Sequence, residues 1–230
     1  MKIFVALCVC ALTLLACGAD DSQKNNQGDV AAERAPQSEP VQKAGTNTIT
    51  DAQVFAYILG DVYGMPTYMN VPQRIGAMLD LDAMVQGIVD NERALIDSNW
   101  VLQLSTEEQA KVNEFYEKVA AERRAAGDNA PAIALAGPIT GQKVILKDTT
   151  SMVVKYSYAQ GVSIDRLFDG MRKNFGEDFE GRFFIQGVRE SIYGMLDSSF
   201  KKSVSIDRLK AVDLKYKKRM QEIREEQRRQ

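Results

Sequence analysis

The chain has 230 residues, with 29 Lys and Arg against 31 Asp and Glu, and it contains no histidine. Without imidazole, Ser-His-Asp and Cys-His catalysis, histidine acid–base chemistry and histidine-ligated metal sites are excluded. Neither a Walker-type glycine loop nor a G-x-G-x-x-G motif is present. The net charge of −2 gives no indication of nucleic-acid binding. The composition therefore favours a protein that uses no cofactor, no metal and no catalytic residue.

The N-terminal segment predicts an export signal. One positive charge at Lys2 precedes an apolar stretch over 3–16, which has signal-peptide length and is too short to span a membrane. The stretch ends in Leu-Leu-Ala followed by Cys17, which resembles the lipobox of bacterial lipoproteins. That resemblance implies removal of residues 1–16 and attachment of lipid to Cys17. Because Gly18 and not Asp follows, it also implies an outer-membrane lipoprotein that faces the periplasm.

The distribution of cysteines supports this interpretation. Cys8 and Cys10 lie in the segment that cleavage removes, so the mature chain has no second cysteine for a disulfide. The alternative is a cleaved secretory signal followed by an incidental cysteine. Residues 17–49 are rich in Gly, Ser, Asn, Gln, Pro and charge, and they predict a disordered tether between the lipid and the folded part.

After the tether, the chain has the pattern of three helices. Two of them begin with capping-box sequences, at Thr50 and at Ser105. Apolar residues follow each box at the spacing of one helix face, and the same spacing begins again at Leu81. Gly64 together with Pro66 predicts the end of the first helix.

A linker and three further helices follow. Residues 128–147 are rich in Ala, Gly and Pro, and they predict a linker with one short strand at 144–146. Helical spacing returns near Tyr156, again near Phe184, and in a long last helix from Leu209. The spacing in the last helix alternates threes and fours, as in a coiled-coil seam. The sequence thus predicts an all-α fold.

The last 30 residues are strongly basic. From Lys201 to Gln230, 11 Lys and Arg stand against 5 Asp and Glu, a net charge of +6. Such a helix can bind acidic phospholipid or lipopolysaccharide. More often, such charges form the solvated side of a long helix without any partner. The sequence leaves both interpretations open.

The two halves of the chain align at an offset of about 100 residues. A Tyr-x-x-Gly pattern and a Gln-Gly-aliphatic pattern each occur twice, and acidic and aromatic positions also match. This predicts a duplication, with repeats at 50–127 and 148–230. The alternative is two unrelated amphipathic three-helix stretches. The matched pairs include Tyr57 with Tyr158, Gly60 with Gly161, Met84 with Phe184, Gln86 with Gln186, Gly87 with Gly187, Asp90 with Glu190, Ser105 with Ser205 and Tyr116 with Tyr216.

Each repeat resembles the N-terminal domain of FKBP-type peptidyl-prolyl isomerases, including the macrophage infectivity potentiator group. The resemblance is based on Tyr-x-x-Gly in the first helix, Gln-Gly-aliphatic in the second, and a serine before the third. It implies a dimerisation and chaperone module in which helices of two chains interlock. The catalytic FKBP domain, a β-sheet wrapped around one helix, has no counterpart in the helical pattern, so isomerase activity is not expected.

The predicted architecture is an intramolecular pseudo-dimer of two tandem three-helix repeats, ending in a long C-terminal helix. Gly60, Gly87, Gly161 and Gly187 are predicted at close helix crossings, where a Cβ would clash. The matched acids Asp90 and Glu190 are expected at helix surfaces or caps and not as an acid–base pair. The side chains predicted to line a cradle for clients or for dimerisation are Phe55, Tyr57, Met84, Tyr116, Tyr158, Phe184 and Tyr216.

The function predicted from these patterns is that of a chaperone-like or scaffold protein in the periplasm. Its partners would be the membrane, through the lipid anchor, and unfolded or partly folded periplasmic proteins. A monomer is expected, although a homodimer is also compatible with the pattern. The alternatives are a dedicated partner in envelope assembly and a prolyl isomerase with an unrecognised active site.

Overall fold

The computed structural model of the protein describes residues 49–127 and 140–229. The predicted signal, Cys17, nearly all of the tether and most of the linker lie outside the described residues. Within them the fold is all-α, as predicted, with six helices and no strand. The helices are α1 (Asp51–Ile75), α2 (Leu81–Ile96), α3 (Thr106–Ala126), α4 (Met152–Phe175), α5 (Gly181–Leu196) and α6 (Ile206–Arg229).

The ends of several helices follow the local sequence signals. Both predicted capping boxes are present, at Thr50 and at Ser105, where the hydroxyl accepts a hydrogen bond from the backbone N–H three residues further on. The side chain of that third residue in turn accepts from the N–H of the cap. Helices α1 and α4 end at Gly76 and Gly176, whose φ angles of 68° and 63° favour glycine.

The predicted end of the first helix was wrong. Helix α1 does not stop at Gly64 and Pro66 but continues through Pro72 to Ile75. A proline inside a helix removes one backbone hydrogen bond. Here that loss is offset by burial, because Tyr68, Pro72 and Ile75 in the last turns all lie in the interior. Tertiary packing thus overrides the local signal.

The predicted strand at 144–146 was also wrong, since this segment is extended but pairs with no other strand in the part of the chain described. A short 3-10 turn begins there at Leu146. The Gln103 side chain takes the place of a neighbouring strand, because its amide N–H donates to the Val144 carbonyl at 3.0 Å. Its amide oxygen accepts from the Leu146 N–H at 2.9 Å. One side chain therefore satisfies the backbone groups that a sheet would have paired.

The helices pack mainly between the two halves of the sequence. Helix α1 lies along α5, and α2 lies along α4, while α3 packs on α4 and α1, and α6 packs on α1. No helix among the described residues is both long and apolar enough to cross a membrane. The largest side chains buried in the core are Tyr57, Tyr68, Tyr156, Tyr158, Phe168, Phe179 and Phe184.

Candidate functional site at the two helix crossings

Helices α1 and α5 cross with their backbones in contact. A Cβ added at Gly60 would overlap the carbonyl oxygen of Phe184 on the other helix. In the opposite direction, a Cβ added at Gly187 would overlap the carbonyl oxygen of Tyr57. Both positions therefore require glycine, although glycine costs up to about 1 kcal/mol relative to alanine inside a helix.

Helices α2 and α4 cross in the same way. A Cβ at Gly87 would overlap the carbonyl oxygen of Tyr158, and one at Gly161 would overlap that of Met84. The structure thus places all four glycines where the sequence predicts close crossings. In each case the opposing carbonyl belongs to the other half of the chain, and the contacts at one crossing correspond to those at the other under the sequence alignment.

A tyrosine from each half donates a hydrogen bond to a carboxylate of the other half. The hydroxyl of Tyr57 donates to Glu190 at 2.7 Å, and that of Tyr158 donates to Asp90 at 3.0 Å. The glutamine of each Gln-Gly pair also donates to the carboxylate on its own helix, at 2.8 and 2.9 Å. The expectation that these acids lie at helix surfaces or caps was therefore wrong for Asp90, which is 2% exposed, whereas Glu190 is only partly buried. Both acids join the two halves.

The electrostatics favour these hydrogen bonds at neutral pH. Burial, together with the neighbouring carboxylate, raises the pKa of both Tyr57 and Tyr158 well above the usual value, so both hydroxyls keep their protons. Burial alone would raise the pKa of Glu190. Hydrogen bonds from the Ser203 N–H, from the Gln186 side chain and from Tyr57 outweigh that effect and lower the pKa. The arrangement suits a fixed structural link and not proton transfer at neutral pH.

The seven predicted cradle residues lie in the interior. None of them is more than 7% exposed, so they offer no accessible surface to a client in this conformation, and that part of the prediction needs correction. The reason is that they face the opposite half of the chain. Phe55 stacks on Tyr216 with 3.9 Å between ring centroids, and at the matched place Tyr156 packs on Tyr116 at 4.5 Å.

A charged cluster, which the apolar spacing of the sequence does not predict, lies one turn beyond the α2/α4 crossing. The Arg172 guanidinium donates to both carboxylate oxygens of Glu92, at 2.6 and 2.8 Å, and lies 4.2 Å over the Phe168 ring. The Asn91 amide donates to Asp165 at 2.7 Å. Asp165 is fully buried, and its second oxygen has no hydrogen-bond partner.

The environment of Asp165 favours its protonated form. Burial, and then the charge of Glu92, raise the pKa of Asp165 to about 8, although Asn91 and Arg172 act in the opposite direction. A protonated Asp165 can donate to Glu92 from the oxygen that otherwise has no partner. One sequence signal could have revealed this residue: counting seven residues from Tyr158 reaches Asp165 on the crossing face of α4.

The exposed aliphatic side chains include a small group at the end of α2. Leu95 is 49% exposed, Ile96 is 87% exposed, and Val101, in the loop that follows, is 81% exposed. At the matched place in the second half, Leu196 is 38% exposed and Lys201 replaces the valine. This group, called the α2 patch below, is therefore larger and more apolar in the first half than its counterpart in the second.

The fold and the crossings define an all-α protein whose two halves share one core through matched contacts. Comparisons of the chain with protein families, with curated proteins and with solved structures find no match. Two interpretations thus remain predictions from the sequence. One is the likeness of each half to the FKBP N-terminal domain, and the other is the likeness of the first residues to a lipoprotein signal.

Proposed function

We propose that the protein is a lipid-anchored periplasmic lipoprotein that acts as a chaperone-like or scaffold module without catalytic residues. Its two halves would imitate, within one chain, a homodimer of interlocked helices. The observation that supports this proposal best is the reciprocity of the contacts, because a two-fold interface uses each patch twice. Glycine crossings, tyrosine–carboxylate hydrogen bonds and stacked rings each occur as a matched pair.

The client surface in this proposal is the α2 patch and not the aromatic interior. Unfolded polypeptides expose apolar side chains, and they bind weakly to exposed aliphatic groups by burial of apolar area. The predicted tether, about 30 residues long, would let the folded part reach about 30 Å from the membrane, at ~5–6 Å × √n. Unfolded client polypeptides would thus be held near the membrane without a nucleotide or a metal.

The test is aggregation of a chemically unfolded protein, followed by light scattering, with and without the chain from Gly18 onward. We expect suppression at near-stoichiometric amounts. The double variant I96D/V101D should no longer suppress aggregation. It should keep the helical circular dichroism spectrum, because both side chains are exposed. The matched control is L196D, at the corresponding place in the second half, which should retain most of the suppression. Equal suppression by I96D/V101D and the original chain would contradict the assignment of the α2 patch.

A second candidate function is that of a dedicated partner for one envelope protein. The observation in its favour is the asymmetry of the α2 patch, since a surface that is larger and more apolar in one half suits one partner better than many clients. Failure to suppress aggregation would favour this role. A pull-down with the lipidated chain should then yield one stoichiometric complex and not a range of weakly bound proteins.

A further inference from the structure

The two halves carry opposite net charges although their folds match. Residues 49–127 contain six Lys and Arg against twelve Asp and Glu, a net charge of −6. Residues 140–229 contain nineteen Lys and Arg against thirteen Asp and Glu, a net charge of +6. A charge asymmetry of this size between halves is typical of proteins that meet a charged surface from one side.

The difference is clearest where α3 and α6 correspond. On α3, Lys118 forms an ion pair with Glu114 at 2.8 Å, as is common on a solvated helix. At the corresponding place on α6, Leu214 replaces the glutamate and is 72% exposed. Lys218, which corresponds to Lys118, consequently has no acidic partner in the part of the chain described.

These residues belong to a stripe along the solvent side of α6. Ile206, Lys210, Leu214 and Lys218 follow one another at intervals of four, so they lie on one side of the helix. Ile206 is 67% exposed, and Lys210 has no ion pair among the described residues. We call this set the α6 stripe. The opposite side of the helix is buried against the core through Val212 and Tyr216.

Other lysines of α6 are already engaged and do not belong to the stripe. Lys215 forms an ion pair with Asp51 at 2.6 Å, and Lys217 forms one with Asp213 at 2.6 Å. The α6 stripe therefore combines exposed aliphatic side chains with lysines that have no acidic partner. Exposed aliphatic side chains beside lysines of this kind are suited to contact with the headgroup region of a membrane.

We propose that the α6 stripe binds the surface of an anionic phospholipid membrane. Leu214 and Ile206 would insert between headgroups, while the ammonium groups of Lys210 and Lys218 contact lipid phosphates. This inference goes beyond the proposed function, and it does not depend on lipid at Cys17.

The test is sedimentation of the chain from Gly18 onward with vesicles of phosphatidylglycerol mixed with phosphatidylcholine, at low salt. We expect binding that weakens as salt is added, and no binding to vesicles of phosphatidylcholine alone. The variant K210Q/K218Q should bind about thirtyfold more weakly, since each lysine near an anionic surface contributes about a factor of five. The variant L214E, which introduces the residue of the first half, should also weaken binding.

The matched control is K111Q/K118Q on α3, which removes the same charge from lysines that are paired with glutamates. Its binding should be unchanged. Equal weakening by both double variants, equal binding to uncharged vesicles, or equally tight binding to a DNA duplex would overturn the proposal. All α6 variants should still suppress aggregation like the original chain, so failure here is distinguishable from failure of the chaperone assignment.

Discussion

The α1/α5 and α2/α4 crossings have the same backbone contacts but different surroundings one turn further along. Beside the α2/α4 crossing, Asn91 donates a hydrogen bond to the buried Asp165. At the corresponding place beside α1/α5, the sequence has Ser191 and Gly64, and a Cβ added at Gly64 would lie 3.2 Å from the serine oxygen. One crossing therefore has a polar pair where the other has two small residues.

The residues that follow Asn91 and Ser191 also differ, again with a polar side chain beside the α2/α4 crossing only. Glu92 forms the ion pair with Arg172, whereas the matched Ile192 is fully buried in the apolar core. Positions where two backbones touch accept only glycine in both halves, because nothing else fits. Positions one turn away have room for side chains, so they can change in pairs as long as their partners change with them. The glycines at the crossings therefore maintain the fold, whereas the side chains one turn away distinguish its two halves.

The largest effect should come from breaking the charged cluster. Replacing Arg172 by Met leaves Glu92 and Asp165 without a cation in a mostly buried site. The side chains of Arg172 and Glu92 are only 16% and 14% exposed. We expect a loss of about 3 kcal/mol in the free energy of unfolding, measured by urea denaturation. The double variant E92M/R172M should recover most of this loss, since an apolar side chain, Ile192, is already buried at the position that matches Glu92.

The outcome of the double variant also decides between two explanations. If E92M/R172M is as unstable as R172M, the stabilising contacts of Arg172 are its packing over Phe168 and its hydrogen bond to the Phe179 carbonyl at 2.6 Å. The role assigned to the ion pair would then be wrong.

A somewhat smaller loss should follow from substitution at the crossings themselves. Gly161→Ala forces α2 and α4 apart because the new Cβ overlaps a backbone carbonyl, and overpacking of this kind costs about 1–3 kcal/mol. Gly170→Ala, on the same helix, has open space around the added Cβ and should stabilise the protein by up to about 1 kcal/mol. Thermal and urea unfolding of both variants would show whether contact at the crossing, and not helix propensity, determines if an alanine stabilises or destabilises the protein. G60A should behave like G161A if the two crossings are equivalent.

The smallest effect concerns pH and only the α2/α4 crossing. Because the pKa of Asp165 rises to about 8 on folding, from about 3.9 in an unfolded chain, the folded protein binds this proton more tightly. Its contribution to stability is therefore greatest below pH 4 and is lost as the pH rises towards 8. Asp165→Asn retains the acceptor for Asn91 and offers Glu92 an N–H, so it should raise stability at pH 8 by about 1 kcal/mol.

The measurement is the difference in unfolding free energy between D165N and the original chain from pH 4 to pH 8. We expect the difference to grow with pH, as Asp165 of the original chain loses its proton. A pH-independent difference for D165N would show that Asp165 is ionised throughout this range, with Arg172 compensating its charge.

Much of the fold could be predicted because its signals are local or repeated. The six helices follow from apolar spacing, and the capping boxes at Thr50 and Ser105 begin two of them. The glycines at the crossings could be located because a glycine inside a helical pattern is costly, and four of them occur at matched positions. The all-α class required no knowledge of how the helices pack.

The remaining features depend on contacts between the halves, which no local pattern records. The aromatic residues were predicted as a lining because their partners were unknown, and those partners include rings and carboxylates of the other half. Asp165 lies on the crossing face of α4, but a charged residue is left out when apolar spacing is counted. Gln103 gives no signal of its own, since its role depends on a segment about forty residues away in sequence.

The interlocking of the helices has a consequence for the order in which the chain can fold. The contacts that close the core are distant in sequence: Tyr57 and Glu190 are 133 residues apart, and Tyr158 and Asp90 are 68 apart. Because α1 and α2 find their main partners in α5 and α4, the first half cannot complete its core as it emerges from a ribosome or a pore. Such topologies fold slowly. A chain with this arrangement can therefore close its core only after the second half has been synthesised.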